Sequence, residues 1–87
     1  MTEKRIYLDH GATTPVHPKV VDAMRPFWAE QYGNSSSVHH FGQAASRALA
    51  DARETVADLL KATPDEIVFT GCGSESDNLA VRGVMLA

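Results

Sequence analysis

The feature that most constrains the fold is a β-prone run, a glycine turn and a helical pattern that follow one another between residues 67 and 85. Residues 67–70, Ile-Val-Phe-Thr, predict a short buried strand, and residues 71–73, Gly-Cys-Gly, predict a turn that tolerates unusual backbone dihedrals. A helical pattern begins at Ser74 and continues through apolar residues at Leu79, Val81, Val84 and Met85. This order opens an α/β unit, but an inner strand needs a parallel neighbour to pair its backbone groups. We therefore expect these residues to be the beginning of a larger α/β protein.

Two further helices and a capped turn are predicted before the strand. The first helix is expected to begin near Pro18, and Pro26 predicts a kink or an end close to Arg25. The second helix carries one apolar stripe formed by Ala45, Leu49, Ala52, Val56, Leu59 and Leu60. The segment from Thr63 to Glu66 has the pattern of a capping box and is expected to close one turn before the strand.

Composition and charge exclude several classes of protein. The net charge of −3 gives no support for nucleic acid or an anionic membrane as a partner. No apolar run approaches the roughly 20 residues of a membrane span, and residues 6–8 are too short an apolar stretch for a secretory signal. A cytoplasmic location is therefore expected. Cys72 is a single cysteine and cannot form an internal disulfide, and no Cys/His metal spacing occurs, so no metal site is predicted.

The predicted turn at residues 70–76 is a candidate anion site. A helix N-terminus exposes unpaired N–H groups and the positive end of the helix dipole, and both attract phosphate. Gly73 allows close approach to the backbone, and Ser74 adds a hydroxyl donor. The glycine spacing matches neither the P-loop nor the dinucleotide-binding pattern. Many turns with two glycines and a serine bind nothing, so the pattern alone leaves both interpretations open.

Three segments of the chain resemble those of a known family. Residues 7–15 (Tyr-Leu-Asp-His-Gly-Ala-Thr-Thr-Pro), residues 32–37 with 39–42, and residues 67–80 are similar to stretches of the cysteine desulfurases, in the class V aminotransferase group. They lie in the right order and at the right spacing, and they span nearly the whole chain. The resemblance departs from the usual pattern at Cys72, which replaces a glycine, and at Ser74, where threonine is common.

The resemblance implies a fold and a division of the chain. The fold class is α/β, the N-terminal portion of a pyridoxal-phosphate-dependent transferase fold of the aspartate-aminotransferase type, mostly helical in this piece. Residues 1–87 would form a single incomplete segment. Residues 1–33 would be the N-terminal arm and first helix, and residues 34–66 a loop and the second helix. Residues 67–87 would be the first strand of the large domain, the phosphate-binding turn and the following helix.

The same resemblance implies a cofactor and its contacts. Pyridoxal phosphate is the expected cofactor, with its phosphate bound by Gly73 and Ser74. Thr13, Thr14 and Asn34 are expected to line the substrate pocket. No catalytic residue is expected in this chain, because the Schiff-base lysine and the nucleophilic cysteine of the family lie in segments beyond residue 87.

The activity implied is that of a cysteine desulfurase. Such an enzyme takes sulfur from L-cysteine and yields L-alanine and an enzyme persulfide, for iron–sulfur cluster assembly or thiolation of tRNA. The expected partners are a sulfur-acceptor or scaffold protein and, for the full-length enzyme, a second copy in a homodimer. Residues 1–87 alone are expected to be inactive, and Cys72 is expected to serve packing. The alternatives are a piece of a selenocysteine lyase or another class V aminotransferase, or a non-catalytic split or truncated subunit.

Overall fold

The computed structural model describes residues 3–87, which divide into two compact units between Ala45 and Ser46. The helices are α1 (Pro18–Met24), α2 (Pro26–Ala29), α3 (His40–Leu60) and α4 (Gly73–Leu86), with a 3-10 turn at Pro64–Glu66. Within the described residues no segment is paired as a β-strand. The mostly helical character predicted for this piece is confirmed, whereas the strand is not formed.

Proline positions determine the bounds of α1 and α2. Pro18 occupies the first turn of α1, where its missing N–H costs little, and the Nδ1 atom of His17 accepts the Lys19 N–H at 3.1 Å as an N-terminal cap. Pro26 lacks the N–H that would continue the helix, so α1 ends and α2 begins around Arg25. Both predictions for this segment are confirmed.

The loop before α3 lies close to the helix because Gly42 has no side chain. A Cβ atom placed there would collide with the Ser37 carbonyl oxygen and lie 2.7 Å from the Asn34 carbonyl oxygen. The Gly42 N–H also donates to the Nδ1 atom of His39 at 3.3 Å, which caps the helix. As a result α3 begins several residues before Ala45, the first residue of the predicted apolar stripe.

The C-terminus of α3 is closed by a Schellman motif with a lysine at its left-handed position. Lys61 has a φ of 56°, and the Ala62 N–H donates to the Ala57 carbonyl at 2.8 Å while the Lys61 N–H donates to the Asp58 carbonyl at 3.2 Å. Glycine is the usual residue at this position, so Lys61 adopts a conformation that L-residues disfavour. The motif turns the chain directly into the 3-10 turn.

The 3-10 turn is closed by the predicted pairing of Thr63 with Glu66. The Oε1 atom of Glu66 accepts the Thr63 N–H at 2.9 Å and the Thr63 hydroxyl at 3.0 Å. These two hydrogen bonds, the backbone one first, hold the pKa of the Glu66 carboxyl below its ordinary value. The turn leads into an extended chain, because the Ile67 N–H is bound to the Pro64 carbonyl at 3.1 Å and Ile67 has β dihedrals.

The buried strand predicted at residues 67–70 is not formed in the part of the chain that the structure describes, and it stays a prediction. The segment starts extended, but Val68 is 64% exposed and Phe69 is 43% exposed, and neither belongs to a ladder. Strand pairing requires a neighbouring strand, and residues 3–87 provide none. The α/β class inferred from this strand is therefore not seen among the described residues.

Few apolar side chains are buried in either unit. Ala57 on α3 is the buried hydrophobic residue among those described. On α4 the exposed apolar residues are Leu79, Val81, Val84, Met85 and Leu86. Between residues 3 and 87 no helix is both long enough and apolar enough to cross a membrane. The apolar stripes of α3 and α4 therefore provide little core within the described residues.

Candidate functional site

The first turn of α4 begins directly at the candidate anion site. Cys72 is the N-terminal cap residue with an extended backbone (φ −167°, ψ 171°), and its side chain makes no capping hydrogen bond. Its carbonyl accepts the Ser76 N–H at 3.1 Å, the first hydrogen bond of the helix. In residues 3–87 no glycine has a positive φ, so the left-handed dihedrals that Gly71 and Gly73 could supply are not used.

Two hydroxyl groups converge on the Cys72 carbonyl. The Thr70 hydroxyl donates to it at 3.2 Å and the Ser76 hydroxyl donates to it at 3.3 Å, while the two hydroxyl oxygens lie 2.5 Å apart. The two hydroxyl protons thus serve three contacts, of which the one between the hydroxyl oxygens is the shortest. This cluster connects the extended segment that precedes the turn to the first turn of α4.

A carboxylate closes the other side of the same turn. The Oε2 atom of Glu75 accepts the Gly71 N–H at 2.9 Å, and a Cβ atom at position 71 would lie 3.2 Å from that oxygen. The Glu75 carboxylate is therefore hydrogen-bonded to Gly71, the residue before the helix cap. Because Glu75 lies in the first turn of α4, its charge also interacts favourably with the helix dipole.

Gly73 and Ser74 present the donors that the sequence predicted for an anion. They are the first residues of α4, so their N–H groups and that of Glu75 have no carbonyl partner one turn earlier. Among the described residues no hydrogen bond engages the Ser74 hydroxyl, although the Ser74 carbonyl accepts the side-chain amide of Asn78 at 2.9 Å. A Cβ atom at Gly73 would meet nothing within 4 Å. The surface at Gly73 is therefore open to close approach by an anion.

Arg53 on α3 holds the segment that precedes the turn. Its Nη1 atom donates to the Ile67 carbonyl at 2.5 Å, and the guanidinium carbon lies 5.1 Å from the ring centroid of Phe69. Sequence reasoning missed this role. The available signal was the position of Arg53 beside Ala52 at the edge of the apolar stripe, where a long side chain can cover apolar surface.

Thr13 and Thr14 lie together in the first compact unit. With Tyr7 and Pro15 they line an open depression of about 310 Å³. The Tyr7 hydroxyl contacts the Thr13 carbonyl at 2.9 Å, and the Thr14 hydroxyl lies 2.8 Å from the Nδ1 atom of His10. The Tyr7 hydroxyl, the Thr13 carbonyl and the Thr14 hydroxyl at this depression are therefore already hydrogen-bonded within the loop.

Asn34 is used locally by its own loop. Its Oδ1 atom accepts the Ser36 N–H at 2.9 Å in an Asx turn, and its carbonyl accepts the Ser37 N–H at 3.0 Å in a β-turn. It is not among the residues that line the depression with Thr13 and Thr14. The structure therefore brings the two threonines together and places Asn34 in a separate turn of the same unit.

No metal centre emerges from the described residues. Between residues 3 and 87 no group of three or more His, Cys, Asp or Glu side chains is arranged to hold a metal ion. Cys72 is a free, exposed thiol, so the buried packing expected for it is not seen among residues 3–87. The arrangement with the clearest chemistry is therefore the set of open donors at Gly73 and Ser74.

Comparison with known proteins identifies several similar chains. A cysteine desulfurase IscS of Dictyoglomus turgidum is 47% identical over 85 residues, which are 98% of this chain and 22% of that protein. A cysteine desulfurase of Trichormus azollae is 54% identical over 82 residues, covering 94% of this chain and 20% of that protein. An IscS-like cysteine desulfurase of Mycobacterium tuberculosis is 51% identical over 81 residues, covering 93% of this chain and 20% of that protein.

The chain thus spans about one fifth of the length of these relatives. Solved structures gave no significant match. A family profile described as aminotransferase class-V matches residues 6–87, which is nearly the whole chain. The chain therefore belongs to the class-V aminotransferase family.

Proposed function

We propose that this chain is part of a pyridoxal-phosphate-dependent cysteine desulfurase. The enzyme takes sulfur from L-cysteine, leaves L-alanine and carries the sulfur as an enzyme persulfide for iron–sulfur cluster assembly or tRNA thiolation. The proposal is supported by relatives of about 50% identity that carry the name cysteine desulfurase. It includes a cytoplasmic location, a homodimeric whole enzyme and a sulfur-acceptor or scaffold protein as partner.

The part played by residues 1–87 is to bind the phosphate group of the cofactor through Gly73 and Ser74. The observation that carries this is the donor set at the start of α4: free backbone N–H groups, an unengaged serine hydroxyl and no side chain at position 73. Such a set fits a phosphate, because hydrogen bonds to a charged acceptor are strong and the helix dipole favours negative charge. When bound, pyridoxal phosphate supplies an electron sink for the bonds that break at the substrate.

The other site residues of the chain are proposed to position or enclose the substrate and not to take part in the chemical reaction. Thr13, Thr14 and Asn34 are proposed to line the pocket for L-cysteine, with the depression beside Thr13 and Thr14 in support. Cys72 is not proposed as the sulfur-accepting nucleophile, because the resemblance to the family implies a different cysteine, further along the chain, in that role; the contacts of Cys72 in the turn are made by its main chain. A thiol in this place can be replaced without loss of either contact, since both use the main chain.

The test is cofactor binding to the gene product that contains residues 1–87, prepared without cofactor. Replacing Ser74 with alanine removes one hydroxyl donor to a charged group, so the dissociation constant for pyridoxal phosphate should rise by about 10- to 150-fold. The matched control is Ser46→Ala, an exposed serine on α3, which should leave the constant unchanged. Equal constants for wild type and Ser74→Ala would contradict the assignment of the phosphate site.

The activity is tested on the same gene product loaded with cofactor. Release of L-alanine from L-cysteine, with a persulfide left on the protein, is the expected result. Turnover of L-selenocysteine alone would identify a selenocysteine lyase, and transfer of an amino group to a 2-oxo acid would identify an aminotransferase. Absence of all three activities with intact cofactor binding would favour a non-catalytic subunit.

A further inference from the structure

The extended segment at residues 67–70 is anchored from one side by a single side chain. Its first N–H is bound to Pro64, and its first carbonyl, that of Ile67, accepts the Nη1 atom of Arg53 at 2.5 Å. The guanidinium also lies 5.1 Å from the centroid of the Phe69 ring. Arg53 is half-buried on α3, so its side chain is held between the helix and the segment.

The anchored segment leads directly to the donors at the start of α4. Thr70 follows Phe69, and its hydroxyl contacts the Cys72 carbonyl and the Ser76 hydroxyl. A continuous series of contacts thus runs from Arg53 through the extended segment to the cap of α4. Ile67 and Thr70 are separated by only about 10 Å of extended chain, so a shift at Ile67 is transmitted to the turn.

We propose that Arg53 is a positioning residue for the phosphate site, holding residues 67–70 against α3 so that the N–H groups of Gly73 and Ser74 meet the phosphate in the correct orientation. This inference rests on the proposed function. Arg53 touches neither the cofactor nor the substrate in this role. Its planar guanidinium serves two contacts at once, a hydrogen bond in its plane and an aromatic ring, which a lysine ammonium cannot reproduce.

The experiment compares two ligands on the cofactor-free gene product that contains residues 1–87. Dissociation constants are measured for pyridoxal phosphate and for pyridoxal, which lacks the phosphate. In the Arg53→Met variant the dissociation constant for pyridoxal phosphate should rise by about 10-fold or more, and the constant for pyridoxal should not change. A loss of this size is typical when a residue that orients a ligand-binding group is removed, as at metal sites. Arg47→Met, an exposed arginine on the same helix, is the matched control and should change neither constant.

If Arg53 served the stability of the fold alone, Arg53→Met would lower the thermal unfolding midpoint and weaken the binding of both ligands equally. That result would overturn the proposal. Equal binding of pyridoxal phosphate by wild type and Arg53→Met would also overturn it. If Arg53→Met does not fold, Arg53→Lys and Phe69→Leu give the same test, since each removes one of the two contacts. Each should weaken pyridoxal phosphate selectively, and unchanged constants for both would refute the role of Arg53.

Ser74→Ala separates this inference from the proposed function. Loss of phosphate affinity in Ser74→Ala but not in the Arg53 variants would reject only the positioning role. No loss in Ser74→Ala would reject the phosphate site itself. In the double variant Arg53→Met/Ser74→Ala, the loss should be smaller than the product of the two single losses, because both changes act on the same donors.

Discussion

Replacing Gly42 with alanine should destabilise the loop before α3, although alanine is the better helix former. The added Cβ atom would collide with the Ser37 carbonyl oxygen and lie 2.7 Å from the Asn34 carbonyl oxygen, whereas ordinary contact begins at 3.4 Å. Both obstacles are backbone atoms, so no side-chain rotation relieves them. The loop must therefore move away from the helix by about 0.7 Å or more at Asn34.

The expected cost follows from what that movement breaks. The turn bond from the Ser37 N–H to the Asn34 carbonyl is 3.0 Å long and the cap bond from the Gly42 N–H to His39 is 3.3 Å long. Overpacking of this kind costs about 1–3 kcal/mol, while alanine recovers up to about 1 kcal/mol of helix propensity in a helix interior and less near the end. With about 0.5 kcal/mol recovered near the helix end, the net change in the free energy of local opening should be a loss of about 0.5–2.5 kcal/mol.

Amide hydrogen exchange on the full gene product measures this local opening directly. The protection of the Ser37 and Gln43 amides should fall by roughly 2- to 70-fold in Gly42→Ala. The control is Gly83→Ala in α4, where the added Cβ atom meets nothing within 4 Å and protection of neighbouring amides should rise by roughly fivefold. Unchanged or increased protection at Ser37 and Gln43 in Gly42→Ala would show that the loop does not lie this close to the helix.

The capping turn should respond to acid through Glu66. Its pKa is lowered by the hydrogen bonds from Thr63, so its stabilisation is complete above the ordinary glutamate pKa of about 4.3 and is lost as the pH falls through the lowered value. The chemical shift of the Thr63 amide, followed by NMR against pH, should report that transition. The transition should be absent in Glu66→Gln, and a titration at or above the ordinary glutamate pKa would contradict the geometry. In the hydroxyl cluster, Thr70→Val and Ser76→Ala should each lower protection of the Ser76 amide. The double variant should cost less than the sum, and strict additivity would show that the two hydroxyls act independently.

The helical framework could be predicted from local signals in the sequence. Pro18 and Pro26 fix helix boundaries through the missing N–H and the fixed φ, and Thr63 with Glu66 forms a local turn. These signals act within four residues of one another, so they need no knowledge of the rest of the fold. The left-handed Lys61 was not predictable in the same way, because a lysine carries none of the glycine signal for that position.

Features that depend on distant residues were predicted less well. The run at residues 67–70 has strand composition, but pairing depends on a second strand, and none lies within residues 3–87. The start of α3 depends on the cap at His39 and on the close approach at Gly42, neither of which appears in an apolar stripe. The roles of Gly73 and Ser74 remain predictions, and their open donors at α4 agree with what the glycine–serine pattern indicated.

The hydrogen bonds that close the turn at residues 70–76 have a consequence for the entropy of ligand binding. Thr70, Glu75 and Ser76 already fix the backbone around Cys72 through contacts within the chain. Fixing a mobile residue costs roughly 1–2 kcal/mol of conformational free energy, and a flexible loop would lose that amount for each residue ordered around an anion. Because this turn is ordered beforehand, the proposed phosphate would meet donors whose ordering cost has been met on folding, and more of the interaction free energy would appear as affinity.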